Sequence, residues 1–149
     1  MRQPTNRGGA IVKNVAPYRI IYGDTDQMGV AYYANYLRWF EVGRSELLRA
    51  IGLPYGTIEA QGFHFPVTEV NCRYAQSARY DDLIEIATEI SSMGRATFVC
   101  GYNIRRAPDG AHLASGSTKH ACVDRNGRIV RIPEILLEAL KKATTKADR

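Results

Sequence analysis

A chain of 149 residues, 45% of them hydrophobic and 23% charged, has room for one packed core and does not match disordered or fibrous classes. The net charge of +5 suits an anionic partner, which could be nucleic acid, a membrane surface or a phosphorylated small molecule. No arginine-rich block, RNA-binding aromatic signature or zinc-finger spacing accompanies that charge, so no nucleic acid partner is expected.

One domain is expected over residues 1–149, with 1–9 and 143–149 as flexible tails. Arg2 and Arg7 are not followed by an apolar h-region, and no stretch is long enough to span a bilayer; the expectation is a cytoplasmic protein without membrane insertion. Cys72, Cys100 and Cys122 lack the spacing of a disulfide framework or metal site and lie in strand-like runs, which suits buried free thiols.

The first predicted element is a strand over Val15 to Tyr22, ended by the polar turn Gly23-Asp24-Thr25-Asp26. Tyr36, Phe40, Gly43, Leu47 and Ile51 then recur at helical spacing and predict one long helix from Asn35 to Ile51, stopped by Gly52. Gly43 costs that helix about 1 kcal/mol relative to alanine, which implies close packing against a sheet. A short helical turn follows Pro54, and strands are predicted over Phe63 to Tyr74, Leu83 to Met93, Arg95 to Arg106 and Ala111 to Asp124. Pro108-Asp109-Gly110 joins the last two, and Arg125-Asn126-Gly127 leads to a short edge strand over Ile129 to Ile132. Pro133 opens an amphipathic helix that ends near Lys142. The expected class is α+β, with a long central helix packed on a largely antiparallel sheet.

Chemistry concentrates between Tyr22 and Tyr36, where two carboxylates precede the long helix. Asp24, Asp26 and Gly29 imitate the start of an EF-hand loop, but Met28 and Asn35 occupy places that need an oxygen ligand and a bidentate glutamate, so calcium is rejected and no metal is expected. A turn or cap role suffices for Asp24. Asp26 has no neutralising neighbour in sequence and faces the apolar run Gly29 to Tyr33, as a carboxylate in a lined pocket would. The helix start supplies unsatisfied N–H groups and a positive dipole end, so an oxyanion could bind at the amide of Tyr33 or its neighbours. Such a pair suits thioester hydrolysis, because a thiol leaving group departs as thiolate without strong protonation. Asp26 would act as nucleophile or general base.

Tyr22-Gly23-Asp24-Thr25-Asp26 through Gly29-Val30 to Tyr33-Ala34-Asn35-Tyr36, with Trp39, Glu41 and Arg44, resembles the hot-dog-fold 4-hydroxybenzoyl-CoA and YbgC-type acyl-CoA thioesterases. The likeness continues through Gly62-Phe63-His64-Phe65-Pro66-Val67 and Tyr80-Asp81-Asp82-Leu83. It implies a hot-dog fold, a long central helix wrapped by a curved antiparallel β-sheet of about five strands, in a homo-oligomer, dimer or tetramer, with sites at a dimer interface. It implies acyl-CoA as substrate, coenzyme A entering as part of it and no cofactor, with Asp26 catalytic and the Tyr33 amide polarising the carbonyl. Some YbgC-type members carry histidine where this chain has Tyr33, so an imidazole base at that place is excluded. Arg95 and Thr97 match positions that bind CoA phosphates, with Arg128 and Arg131 as weaker candidates; an exposed arginine and a strand threonine account for the first pair equally well. His64 could line the acyl pocket from the neighbouring subunit or be a hydrogen-bonded strand histidine. Ser77-Ala78-Arg79 departs from the family's Pro-Ala before the Tyr-Asp-Asp turn and affects loop shape.

Two rival readings remain. A hot-dog dehydratase or hydratase needs a histidine near the helix start, where Tyr33 stands. A non-catalytic protein that binds acyl-CoA or acyl-carrier protein would be weakened by an unpaired Asp26 carboxylate in an apolar pocket.

Overall fold

The computed structural model describes residues 12–147. Strand β1 (Lys13–Arg19) leads through a 3₁₀ turn (Tyr22–Asp24) to helix α1 (Asn35–Ala50) and the short helix α2 (Tyr55–Ala60). Strands β2 (Val67–Tyr74), β3 (Leu83–Met93), β4 (Thr97–Arg106) and β5 (His112–Ala121) follow, then helix α3 (Glu134–Ala147). The strands form one sheet in the order β1-β3-β4-β5-β2, antiparallel at every pairing. Strands β1 and β2 are therefore its two edges.

Helix α1 lies on one face of this sheet because its apolar residues make a single stripe: Tyr36, Trp39, Phe40, Gly43 and Leu47 are buried. The sheet answers with alternating buried positions, Ile84, Ile86 and Thr88 on β3 and Phe98, Cys100, Tyr102 and Ile104 on β4. Each fully buried Leu, Ile or Phe contributes roughly 1.5 to 3 kcal/mol, so this interface dominates the core. The rings of Phe40 and Tyr102 stack at 4.2 Å and 6°. Gly43 sits where a Cβ would fall 2.7 Å from Ile86 Cγ2 and overlap Thr88 Oγ1, so the close approach inferred from its place in the stripe is real. Gly116 on β5 performs the same service for Phe40, whose ring atoms would lie 2.8 Å from an added Cβ.

Several predicted boundaries shift. Strand β1 ends at Arg19 because Ile20 turns its amide to the Asp82 carbonyl, at 2.9 Å, before the 3₁₀ turn begins. The run Phe63 to Pro66 stays outside β2 apart from one bridge, His64 to Val123, since Pro66 has no N–H to donate. The edge strand expected over Ile129 to Ile132 does not form. Ile129 makes a single bridge to Val123, while Val130 and Ile132 send their amides to Cys122 and Arg95, on different segments. Helix α3 continues past Lys142 to Ala147, through part of the expected C-terminal tail. The expected tail 1–9 lies outside the described residues. All three cysteines are free thiols, with Cys100 and Cys122 buried and Cys72 half-buried. Among the described residues no helix is long and apolar enough to cross a membrane.

Candidate active site

The loop from β1 to α1 is held by Asp24. Its side chain is 1% exposed and accepts from the Tyr18 phenol at 2.8 Å and the Ile21 amide at 3.0 Å, with Arg38 at 3.8 Å from Oδ1. Its carbonyl accepts from the Tyr32 amide and the Asn35 side-chain amide, both at 2.8 Å, so one residue ties the loop's start to the helix's start. Burial and then the hydrogen bond to Asp24 push the Tyr18 phenol up, which keeps it a donor. The structural role expected of Asp24 fits this geometry.

Asp26 begins a tight turn. Its amide donates to the Val30 carbonyl at 2.9 Å, Gly29 returns an amide to the Asp26 carbonyl at 3.0 Å, and Thr25 bridges Ala31. Gly29 adopts φ +78°, a conformation that glycine reaches without strain. Asp26 Oδ1 accepts from the Met28 amide at 2.9 Å, an Asx turn that fixes the carboxylate's direction. Among the described residues Oδ2 accepts no hydrogen bond.

The half-buried Asp26 lines a cleft of about 280 Å³ together with Tyr33, Val30, Tyr36 and Tyr74. Helix α1 starts here without a side-chain cap. The Tyr33 and Ala34 amides donate to no acceptor among the described residues, so two backbone donors are available at the positive end of the helix. Tyr74, at the end of β2, donates its phenol to the Tyr33 carbonyl at 2.8 Å. Burial first, then its contact with Cys72, raises the Tyr74 phenol to about 12, and burial also raises Tyr36. Both phenols stay protonated at neutral pH. Nothing in the local sequence signals Tyr74, which reaches the site from another strand.

Asp26 and Tyr33 are thus brought together within one protomer. His64, Arg95 and Thr97 are not. Arg95 and Thr97 lie in the β3–β4 hairpin, where Thr97 pairs with Ala121, and His64 bridges Val123 just beyond β5. Asp26 lies at the other end, where Ala31 donates to Ala78 and Arg19 pairs with Leu83. Arg95 is exposed, and His64 Nδ1 is 4.0 Å from Glu59 Oε1. Among the described residues no group of three or more His, Cys, Asp or Glu could hold a metal ion. His120 is buried in a separate network: Nδ1 donates to the Phe65 carbonyl at 3.0 Å and Nε2 accepts from Thr118 at 2.7 Å.

The sequence profile of the thioesterase-like superfamily matches residues 22–140. The chain is 37% identical to the acyl-CoA thioesterase YbgC of Haemophilus influenzae over 109 residues, 72% of this chain and 79% of that protein. Its fold is similar to the DHNA-CoA thioesterase from Staphylococcus aureus, with a TM-score of 0.83 and 28% identity over 91% of this chain and 93% of that one. A 4-hydroxybenzoyl CoA thioesterase, solved as an Asp-to-Asn mutant complexed with 4-hydroxybenzoyl CoA, gives a TM-score of 0.78 at 25% identity and covers 87% of this chain and 99% of that one. With a profile spanning most of its length and a sheet-and-helix frame shared with solved relatives, this chain belongs to the thioesterase-like superfamily and has its hot-dog fold.

Proposed function

We propose that the chain, as an acyl-CoA thioester hydrolase, uses Asp26 as nucleophile or general base and the Tyr33 backbone amide as oxyanion donor. The observation that carries this reading is that Asp26 and Tyr33 line one cleft, where the Tyr33 N–H has no acceptor among the described residues. An acyl carbonyl in that cleft would accept from the amide while its carbon faces the carboxylate. A preorganised donor of this kind contributes roughly 3 to 4 kcal/mol to catalysis.

With Asp26 as general base, it takes a proton from water, the water oxygen adds to the carbonyl carbon, and the oxyanion collapses with loss of CoA thiolate. As a nucleophile, its oxygen adds instead, CoA thiolate leaves, and water hydrolyses the resulting mixed anhydride. Either route yields free acid and CoA. Both use the chain's own groups, and neither calls for a metal or cofactor.

His64, Arg95 and Thr97 serve the same reaction from a second copy in this proposal. Strand β2 is an edge with Val67, Val70 and Tyr74 exposed, an apolar margin that suits a partner strand. Twofold antiparallel pairing of two β2 edges would put the Val67 end of one beside the Tyr74 end of the other, and so His64 of one copy near Asp26 of the next. Arg95 and Thr97 would then meet the CoA phosphates. The working unit is a homodimer or a tetramer of two such dimers, acting on small-molecule acyl-CoA in the cytoplasm.

The test compares wild type with Asp26→Asn and Asp26→Ala on benzoyl-CoA and butyryl-CoA, following thiol release. Both variants should melt as wild type does and lose at least about 100-fold in turnover. Undiminished hydrolysis by either variant overturns the assignment. Single turnover in ¹⁸O-water tests the nucleophilic route, since label reaches the Asp26 carboxylate only when water opens the mixed anhydride at the aspartyl carbon.

A further inference from the structure

We infer that Tyr74 is a positioning residue for thioester hydrolysis, acting through the peptide that follows Tyr33; the inference rests on the Tyr33 amide being the oxyanion donor. Helix α1 is anchored through Tyr32 and Asn35 to the Asp24 carbonyl, but its own first turn is weakly bonded. Ala34 caps it without a side-chain hydrogen bond, and the two backbone contacts after that of Asn35 are long, Tyr36 amide to Tyr33 carbonyl at 3.4 Å and Leu37 amide to Ala34 carbonyl at 3.2 Å. An amide beside so weakly bonded a turn would wander without further support, and an oxyanion donor is effective only when its direction is set in advance.

Two bonds supply that direction. The Tyr32 carbonyl, in the same peptide as the Tyr33 amide, accepts from the Asn35 amide at 2.9 Å. The Tyr33 carbonyl, in the next peptide, accepts from the Tyr74 phenol at 2.8 Å across 41 residues of sequence. The Tyr33 φ and ψ are thereby clamped from both sides, and the second clamp comes from the sheet. The Tyr74 ring is itself fixed, edge-on to Tyr36 with centroids 4.9 Å apart at 87°, and the Tyr36 hydroxyl accepts from the Ala78 amide at 3.1 Å. Ala78 in turn accepts from the Ala31 amide at 2.8 Å, so loop, helix start and the segment after β2 form one closed set of contacts around the cleft.

The ring, not the hydroxyl, makes the packing contact with Tyr36, so Tyr74→Phe removes the clamp and keeps the wall. It should lower kcat roughly five- to tenfold, with KM for benzoyl-CoA within about twofold and an unchanged melting temperature. Placing 4-aminophenylalanine at position 74, which keeps a donor on the same ring, should restore most of the lost kcat. A second pair of variants tests the route: a backbone ester in place of the Tyr32–Tyr33 amide bond removes the Tyr33 N–H, and Tyr74→Phe added to it should lower kcat little further. Unchanged kcat in Tyr74→Phe, loss that appears in KM alone, or a full extra loss in the ester background each overturns the inference. If Tyr74→Phe fails to fold, 3-fluorotyrosine at position 74 decides, because its stronger donor should raise kcat, and a kcat equal to wild type overturns the inference. An ester variant that keeps wild-type kcat overturns the oxyanion assignment itself, a result distinct from failure at Tyr74 alone.

Discussion

The phenol of Tyr18 on β1 donates to Asp24 Oδ2 at 2.8 Å, so the edge strand holds the carboxylate whose own carbonyl anchors Tyr32 and Asn35. Asp24→Ala removes the acceptor from a buried site and leaves the Tyr18 hydroxyl and Ile21 amide unpaired. A stability loss of about 1 to 3 kcal/mol is expected in urea denaturation, larger than that of Tyr18→Phe. Turnover should fall as well, because the main-chain carbonyl that anchors Tyr32 and Asn35 stays but loses the side-chain bonds to Tyr18 and Ile21 that hold it in place.

If each active site draws Asp26 from one copy and Arg95 from another, two crippled variants should complement. Co-expressed Asp26→Asn and Arg95→Glu chains would form mixed dimers in which one site carries both changes and the other carries neither. At substrate well below KM, the mixture should recover about a quarter of wild-type activity. Activity no greater than the mean of the two separate variants would remove the shared-site arrangement.

His120 gives a pH dependence of stability. Its Nδ1–H donates to Phe65, and Nε2 accepts from Thr118, which accepts from Tyr102, which accepts from Arg44. Protonating Nε2 would reverse Thr118 and turn the Tyr102 hydroxyl's hydrogen toward a guanidinium. Burial, the largest cause, holds the imidazole below its ordinary value, and Arg44 acts in the same direction. The unfolded chain therefore binds more protons than the folded one, and stability is full above about pH 6.5 and declines as pH falls below it. Thermal melts from pH 7.5 to 5 should show that decline, and His120→Gln should flatten it.

Gly43→Ala tests packing against helix propensity. Alanine favours the helix by about 1 kcal/mol, yet its methyl would press on Ile86 and Thr88. A net loss of about 1 to 3 kcal/mol in urea denaturation is expected, since over-packing a close helix–sheet contact outweighs propensity. An unchanged or raised midpoint would show that the helix lifts off at little cost.

The order of elements was legible because each long segment keeps one period. The helix expected over Asn35 to Ile51 and the strand over Leu83 to Met93 appear with at most one residue of change. Ile129 to Ile132 misled because a short apolar run has a strand's composition whether or not one neighbour takes all its hydrogen bonds. In the candidate site, the meeting of Asp26 and Tyr33 at one cleft was readable because a short loop joins them. The distance of His64, Arg95 and Thr97 from that turn depends on how five strands are ordered, and Tyr74 on a hydroxyl crossing between elements, neither of which leaves a local pattern.

The missing side chain at Gly43 has a last consequence. With the helix seated flush on Ile86 and Thr88, its height above the strands has one value, and the gap between its first turn and the end of β2 is set before any ligand arrives. Exchanging rim residues such as Met28 and Gln76 would then reshape the cleft's mouth while the scaffold keeps its spacing.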